Sequence, residues 1–403
     1  MRFQLFCNTA LVVTLMLAAG AEAQPAPQPQ DCTGKAGVDW NKQIKACTAV
    51  IETAQGSPQD RAAIYKKRAT AYYAVGDDDH AMADDDAAIR LDPNMAAAYS
   101  SRGDIYMDRE DPDRAIAEFD AALQHDAKLV AAYTGRSAAY DQKGDFDRAL
   151  ADANAAIGLD AKSASAYETR GKAYVYKGDI KRALADYDQA MRIDPKEAAE
   201  IYNLQGLAYM EKGDLARAVT AFSESARSDP QEFDAYFNRG RANLYAGALP
   251  KAIEDYKQAA TITPGYPYTP LWLDIAEARS KMPSTLQQAI AKVDMTKWPA
   301  PVIRMYLGQM KPAAVLAAAD DPNAAKKIGQ VCEANFYSGE WALRQGAKDD
   351  AVRQFRVAVS DCPKTLIERN AAAIELKALG VGTGSGGIGK ASGNTSEDRV
   401  PHD

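Results

Sequence analysis

The feature that most constrains this chain is a period. Helix-ending positions fall at Pro93, Ala127, Ala161, Pro195, Pro230 and Pro264. They are 34 residues apart throughout, except for one interval of 35 that a single inserted residue near Glu200 accounts for. In the same register Tyr recurs at Tyr72, Tyr106, Tyr140, Tyr174 and Tyr209, and Ala at Ala81, Ala115, Ala149, Ala183, Ala218 and Ala252. A second small residue follows at Ala88, Ala122, Ala156, Ala190, Ser225 and Ala259. Gly76, Gly144, Gly178, Gly213 and Gly247 mark the junction between the two helices of each unit, where only Glu110 breaks the series. A unit this short cannot bury an apolar face by itself, so it has to stack on its own copies.

The pattern resembles the tetratricopeptide repeat, in which small residues let paired helices approach, an aromatic fills the gap beside them and Pro stops the second helix. The expected fold class is all-α, a tetratricopeptide helical-hairpin superhelix (α-solenoid) with six repeats over residues 62–266. A seventh copy stands apart, with Gly339, Gly346, Ala351, Phe355, Ala358 and Pro363 at the same offsets, and it reads with a final helix as residues 332–380. Between the two lies a helical insert, residues 267–331, in which LWLDIAEARSKM, TLQQAIAKV, PVIRMYLGQM and PAAVLAAA alternate with Pro-containing breaks. Trp272 and Trp298 read as packing residues that pin the insert; binding-site tryptophans are the sharper alternative. Within residues 32–61, Lys42 to Glu52 reads as a helix that caps the stack.

Comparing repeats with one another exposes a second regularity. The residue before the small position of the first helix is Arg68, Arg102, Arg136, Arg170, Gln205 and Arg239, then Ser338 in the seventh copy. Sixteen residues later stand Asp84, Glu118, Asp152, Asp186, Ala221, Asp255 and Gln354. Arg and acid appear together or not at all, which predicts a partly buried ion pair inside each hairpin rather than between neighbours.

The two ends have a different character. Arg2, the apolar stretch from Ala10 to Ala19 and the small-x-small site Ala21-Glu22-Ala23 read as a secretory signal (residues 1–23) cleaved after Ala23; a retained anchor is the competing reading, though the run is short for a bilayer. QPAPQPQ within residues 24–31 is a Pro-rich linker, and residues 381–403 form a tail without a pattern to bury. Removing the signal removes Cys7 and leaves Cys32, Cys47, Cys332 and Cys362, an even number suited to an oxidising compartment. Proximity pairs Cys32 with Cys47 and Cys332 with Cys362. Because the helices of a hairpin are antiparallel, the second pair brackets the seventh copy side by side.

Leu271-Trp272-Leu273 with Ala276-Glu277, then Trp298, Tyr306-Leu307-Gly308, Asn335-Phe336-Tyr337 with Gly339, and finally Glu375-Leu376 and Leu379-Gly380 form a further series. In order and spacing this block resembles the NlpI-type bacterial envelope tetratricopeptide proteins. The resemblance implies a helical adaptor, capable of homodimer formation, that presents cell-wall hydrolases to a processing protease in the periplasm or groups them together. The chain departs from that family in lacking a lipid-accepting cysteine and in carrying a longer array with its own disulfides.

Chemistry is sparse by comparison. The histidines are His80, His125 and His402, with no Ser/His or Cys/His constellation and no phosphate-binding Gly loop, so the chain reads as a non-enzyme with no catalytic residues. The Asp77-Asp78-Asp79 and Asp84-Asp85-Asp86 runs lack the ligand alternation and central Gly of a calcium loop, and no metal or cofactor is expected. A net charge of −7 argues against nucleic acid, and no membrane span is expected in the mature chain. Binding then falls to the concave face, where repeat positions two, five, nine and twelve give Lys66, Tyr73, Asp104, Met107, Asp141, Glu168, Lys172, Asn203, Met210, Phe237 and Arg241. The two-carboxylate clamp of chaperone-binding relatives is not expected, because Lys66 is followed by Thr70, Ser101, Ala131 and Gly135 at its positions. The function read from the sequence is a periplasmic scaffold that binds other proteins or peptides. The alternative is a self-associating structural subunit of an envelope or secretion assembly.

Overall fold

A computed structural model describes residues 32, 39–53 and 56–382. The signal, the linker up to residue 31 and the tail from residue 383 lie outside the described residues. The chain falls into two compact units divided after Asn94.

The first unit holds α1 (Trp40–Glu52), α2 (Pro58–Ala74) and α3 (Asp78–Leu91). Ser57 and Asp60 form a reciprocal capping box at the start of α2, and Pro58 supplies a preset φ at its first position. Cys32 is disulfide-bonded to Cys47 on α1, with Cα atoms 4.8 Å apart, and both are buried against Ile64 of α2. Arg68 on α2 holds Asp84 on α3 through two bonds of 2.7 and 2.8 Å, while its third nitrogen reaches Thr48 on α1 at 2.9 Å. One guanidinium thus ties the capping helix to the first hairpin.

The second unit begins with five hairpins. They are α4 (Ala96–Asp108) with α5 (Pro112–His125), α6 (Val130–Gln142) with α7 (Phe146–Leu159), and α8 (Ala164–Tyr176) with α9 (Ile180–Ile193). Next come α10 (Ala198–Glu211) with α11 (Leu215–Ser228) and α12 (Phe233–Tyr245) with α13 (Leu249–Ile262). First helices also touch one another in series, α4 to α6, α6 to α8, α8 to α10 and α10 to α12, which places them on the inner, concave side.

Four of these five turns are locked by the same local chemistry, while Ala248 at the start of α13 provides no side-chain cap. Asp111, Asp145, Asp179 and Asp214 cap the second helices by accepting from the backbone N–H of Arg114, Arg148, Arg182 and Arg217. Those arginines bond back to the same caps and lay their guanidinium groups over Tyr106, Tyr140, Tyr174 and Tyr209 at 4.3 to 4.9 Å from the ring centroids. The recurring Tyr is therefore a platform for a capping Arg as well as a gap filler. The turn itself needs a left-handed residue; Gly144 has φ 75°, and Glu110 adopts φ 57° in the equivalent place.

In the hairpins α4/α5, α8/α9, α10/α11 and α12/α13 the glycine of the first helix lies under an aromatic of the second. A Cβ at Gly206 would come 2.4 Å from the Phe222 ring, and one at Gly171 would come 2.5 Å from Tyr187. The third hairpin reverses the sizes: Ala153 stands where the aromatic would be, and Ser137 uses the space to donate to Ala149 O at 2.7 Å.

The Arg and acid positions meet within each hairpin. Arg136 bonds Asp152 at 2.7 Å, Arg170 bonds Asp186 at 2.7 and 2.8 Å, Arg239 bonds Asp255 at 2.6 Å, and Arg102 pairs with Glu118. The third guanidinium nitrogen also points backward, to Asp120 from Arg136 (2.5 Å), Asn154 from Arg170 (2.8 Å) and Ser223 from Arg239 (3.4 Å). Gln205, which replaces Arg in the fifth repeat, keeps only this backward bond, to Asp188 at 2.8 Å. The expected pairing of each Arg with its acid inside the hairpin is found, and the backward bonds come in addition to it: a guanidinium has five N–H donors, enough to serve its own hairpin and the one before it.

After α13 the chain continues as α14 (Tyr268–Arg279), α15 (Leu286–Ala289), α16 (Ala300–Tyr306), α17 (Pro312–Ala318), α18 (Ala324–Arg344), α19 (Lys348–Asp361) and α20 (Ile367–Ala378). Although its sequence leaves the repeat, α14 packs on α13 and reaches α12, as a next first helix would. Trp272 on α14 is fully buried among Phe237, Tyr256 and Phe336, and Trp298 donates to Glu333 at 2.8 Å. The hairpin of α18 and α19 is closed by Cys332–Cys362, with Cα atoms 5.5 Å apart, and begins eight residues before Cys332. Arg279 on α14 bonds both Glu340 of α18 (2.8 Å) and Glu375 of α20 (2.7 Å), joining the three helices through charge.

Candidate functional site: the concave face and its C-terminal cover

In the first unit Lys66 is half-buried, 3.5 Å from Asp85 and bonded to Thr70, and Tyr73 is half-buried on the same helix. In the second unit the concave row divides in two. Asp104 and Met107 on α4 and Glu168 and Lys172 on α8 are half-buried, with Lys172 at 3.6 Å from Glu200. Burial pushes the Glu168 carboxyl up, and the Glu200 charge adds to the push. Asp141 on α6 differs from these. It is 6% exposed, neither carboxylate oxygen has a hydrogen-bond partner, and burial pushes its pKa up to about 7 against the pull of Lys172.

From α10 onward the row is covered by the chain itself. Asn203, Met210, Phe237 and Arg241 are all buried, so the expectation that they line an open groove does not hold in this structure. Asn203 accepts from Asn238 at 3.1 Å, Phe237 packs edge-on to Trp272, and Arg241 lies over the Trp272 ring at 5.5 Å while donating to Asn238. The segment leading into α20 lies alongside α8 and α10: Lys364 donates to Tyr176 O at 3.4 Å and Asn370 to Glu211 at 2.6 Å. At the far end of the block, Lys326 near the start of α18 meets Glu110 at 2.9 Å.

A cavity of about 360 Å³ remains between this segment and the repeats, walled by Val175, Leu204, Leu207, Met210, Leu366 and Ile367. Arg241, Lys172, Lys364, Glu211 and Asn370 bring polar atoms to it.

Under the block lies a second set of buried carboxylates. Glu333 accepts from Tyr268 at 2.7 Å and from Trp298, and burial together with the Glu368 charge pushes it up to about 8. Burial also pushes Glu340 up to about 7 in spite of Arg279. Glu333 and Glu340 fall at positions two and nine of the seventh copy, and Glu375 falls in the C-terminal series, so the register carried a signal for these three; Glu368 falls outside it. His80 bonds Asp77 at 2.8 Å and stacks on Tyr72, and His125 stacks on Tyr99, so the two described histidines serve the hairpins. Among the described residues no group of three or more His, Cys, Asp or Glu is arranged to hold a metal ion.

By its hairpins, its concave first helices and its turn chemistry, the protein is an all-α tetratricopeptide solenoid. A tetratricopeptide repeat model matches residues 168–232 and 203–267, and a model described as the ETO1 C-terminal domain matches residues 33–176. Among solved structures the chain is similar to a tetratricopeptide repeat protein from Parabacteroides merdae, with 16% identity and a TM-score of 0.51, covering 62% of this chain and 95% of that one. It is also similar to a chain of the APC/C hetero-tetramer Cut9-Hcn1, with 15% identity and a TM-score of 0.53. That match covers 59% of this chain and 46% of the other, so this chain spans under half of that relative's length. At such identities the likeness concerns the fold.

Proposed function

We propose that this protein is a non-catalytic, exported scaffold that binds partner proteins or peptides along the open concave stretch of α4, α6 and α8. The observation that carries the reading is Asp141: a buried carboxylate without a hydrogen-bond partner, in a row with Asp104, Glu168 and Lys172, is costly unless something else satisfies it. A basic side chain from an extended or helical partner segment would do so. Two cysteine pairs at bonding distance fit an oxidising compartment, and no described helix is long and apolar enough to cross a membrane. Together with the export signal these features support the bacterial periplasm. The NlpI-type series in the C-terminal block supports adaptor work on cell-wall hydrolases or their processing protease.

The test is crosslinking capture from native envelope extracts with the wild type and with Asp141→Asn combined with Glu168→Lys. Partners captured by the wild type and lost in the variant, at unchanged helicity and with no loss of thermal stability, are the expected result. Equal recovery from both, or no specific partner from either, sinks the reading. Peptide mapping under non-reducing conditions checks the compartment, since four free thiols would contradict export.

A further inference from the structure

We infer that the cavity between the C-terminal segment and α8, α10 and α12 is a binding site for a small apolar carboxylic acid that carries one further hydrogen-bond donor. An N-acylated apolar amino acid is the simplest member of that class. Its volume of about 360 Å³ lies within the range of small-molecule sites, and its walls are largely aliphatic. Packing alone would close such a space, because interiors rarely leave voids larger than a water molecule.

The polar atoms at the cavity define the ligand's chemistry. Arg241 is 2% exposed, lines the cavity, and its Nε meets no acceptor. Lys172 and Lys364 add two more cations. The single carboxylate in the lining, Glu211, is already bonded by Asn370; outside the lining Asp141, Glu168 and Glu200 face Lys172, and Glu368 faces Arg241. Within the lining three cations meet one carboxylate, and the unmet Nε of buried Arg241 is the group that calls for an anionic acceptor. Asn370 spends its amide N–H on Glu211, and its Oδ1 is buried with no donor opposite it. A carboxylate toward Arg241 and an N–H or O–H toward Asn370 answer both. The ligand is small because residues 364–370 already run along the groove where a partner's backbone would lie. This site shares Lys172 of α8 with the open stretch over α4, α6 and α8, but Arg241, Lys364 and Asn370 belong to it alone, so ligand binding lost in Arg241→Met with partner capture intact distinguishes the two.

Calorimetric titration of the full chain at neutral pH tests it with N-acetyl-L-phenylalanine as the probe. Saturable binding is expected, at least tenfold weaker for N-acetyl-L-phenylalaninamide, which lacks the carboxylate, and weaker for 3-phenylpropionate, which lacks the donor. Leu207→Trp should fill the cavity and abolish binding at an unchanged thermal midpoint. Arg241→Met should weaken it tenfold or more, and Lys172→Gln serves as the milder cation variant if Arg241→Met does not fold. Absence of saturable heat, equal binding of acid and amide, or undiminished binding by Leu207→Trp overturns the assignment. So does a tetrapeptide ending in phenylalanine that binds over tenfold more tightly than the acid, since the site would then belong to a chain end that displaces the segment.

Discussion

The hairpins from α4 to α9 and the block from α14 to α20 use charge in opposite ways. In the hairpins each Arg sits at the edge of a helix pair, and its acid is a repeat neighbour sixteen residues away. In the block Arg279 serves Glu340 and Glu375, which lie 61 and 96 residues further along the chain. The first arrangement is a property of the repeat and can be deleted one copy at a time, as the fifth repeat shows with Gln205. The second is a property of the tertiary structure: α14, α18 and α20 meet there, and among the described residues Arg279 is the cation bonded to the two buried carboxylates. The difference teaches that the array is held by many modest ties, while its C-terminal cover rests on a few costly ones.

Arg279→Met should therefore be the most damaging single change, removing about 3–5 kcal/mol because it strands two buried carboxylates. Urea unfolding followed by tryptophan fluorescence reads this region directly, since Trp272, Trp298 and Trp341 all lie in the block. A loss under about 1 kcal/mol, typical of an exposed pair, would erase the distinction between block and array. The array has its own sensitive points in the interleaved small residues. Gly206→Ala sets a Cβ 2.4 Å from the buried Phe222 ring and should cost about 2 kcal/mol by overpacking. Gly329→Ala, on the helix α18 with nothing within 4 Å, should be neutral or slightly stabilising, and an equal loss at both sites would show that sterics at Phe222 are not the cause.

The same contrast explains what could be read in advance. Hairpins, turn positions and the Arg with its acid repeat within the chain, so each copy checks the others; even Ala221 opposite Gln205 is informative. Proximity paired the cysteines, and for Cys332 with Cys362 the antiparallel geometry of one hairpin gave the same answer. The backward bonds of Arg136 and Arg170 were hidden because their acceptors, Asp120 and Asn154, differ chemically from copy to copy. The cover on α10 and α12 had no periodic signal at all. Asn203, Met210, Phe237 and Arg241 occupy repeat positions that face inward in any such array, and what covers Phe237 and Arg241 is Trp272 on α14, outside the repeat pattern, with residues 364–370 of a distant segment facing Met210 and Arg241 across the cavity. Only the shift of those positions from Asp104 and Glu168 toward Met210 and Phe237 hints that the face becomes interior.

Asp141 lies on the open side of that boundary and should respond to pH. Its pKa is raised to about 7 in the folded chain from an ordinary carboxylate value near 3.8, so the folded state holds the proton more tightly than the unfolded one. Stability then falls as pH rises from about 4 to 7 and levels off above that. Asp141→Asn removes this penalty, and the variant should exceed the wild type by up to about 4 kcal/mol at pH 8 and match it near pH 4. Paired urea titrations at the two pH values give the comparison. A pH-independent difference would mean that the carboxylate is solvated or paired in solution.

The smallest effect bears on whether the cover is fastened to the second hairpin. Glu110 bears φ 57° where the other junctions use Gly, at a steric cost of about 1–2 kcal/mol for an L residue, and its side chain meets Lys326 at 2.9 Å. Replacing it by Gly relieves the backbone, gives back part of the gain through the freer unfolded chain, and removes an exposed ion pair worth about 0.5 kcal/mol. The net expectation is a gain of about 0.5 kcal/mol. Glu110→Gln, which keeps the backbone demand and removes only the charge, should lose about as much as that pair is worth. If Glu110→Gly instead destabilises, and hydrogen exchange rises along α18 in both variants, then the Lys326 contact is a structural tie and Glu110 stands at the turn for the sake of the cover.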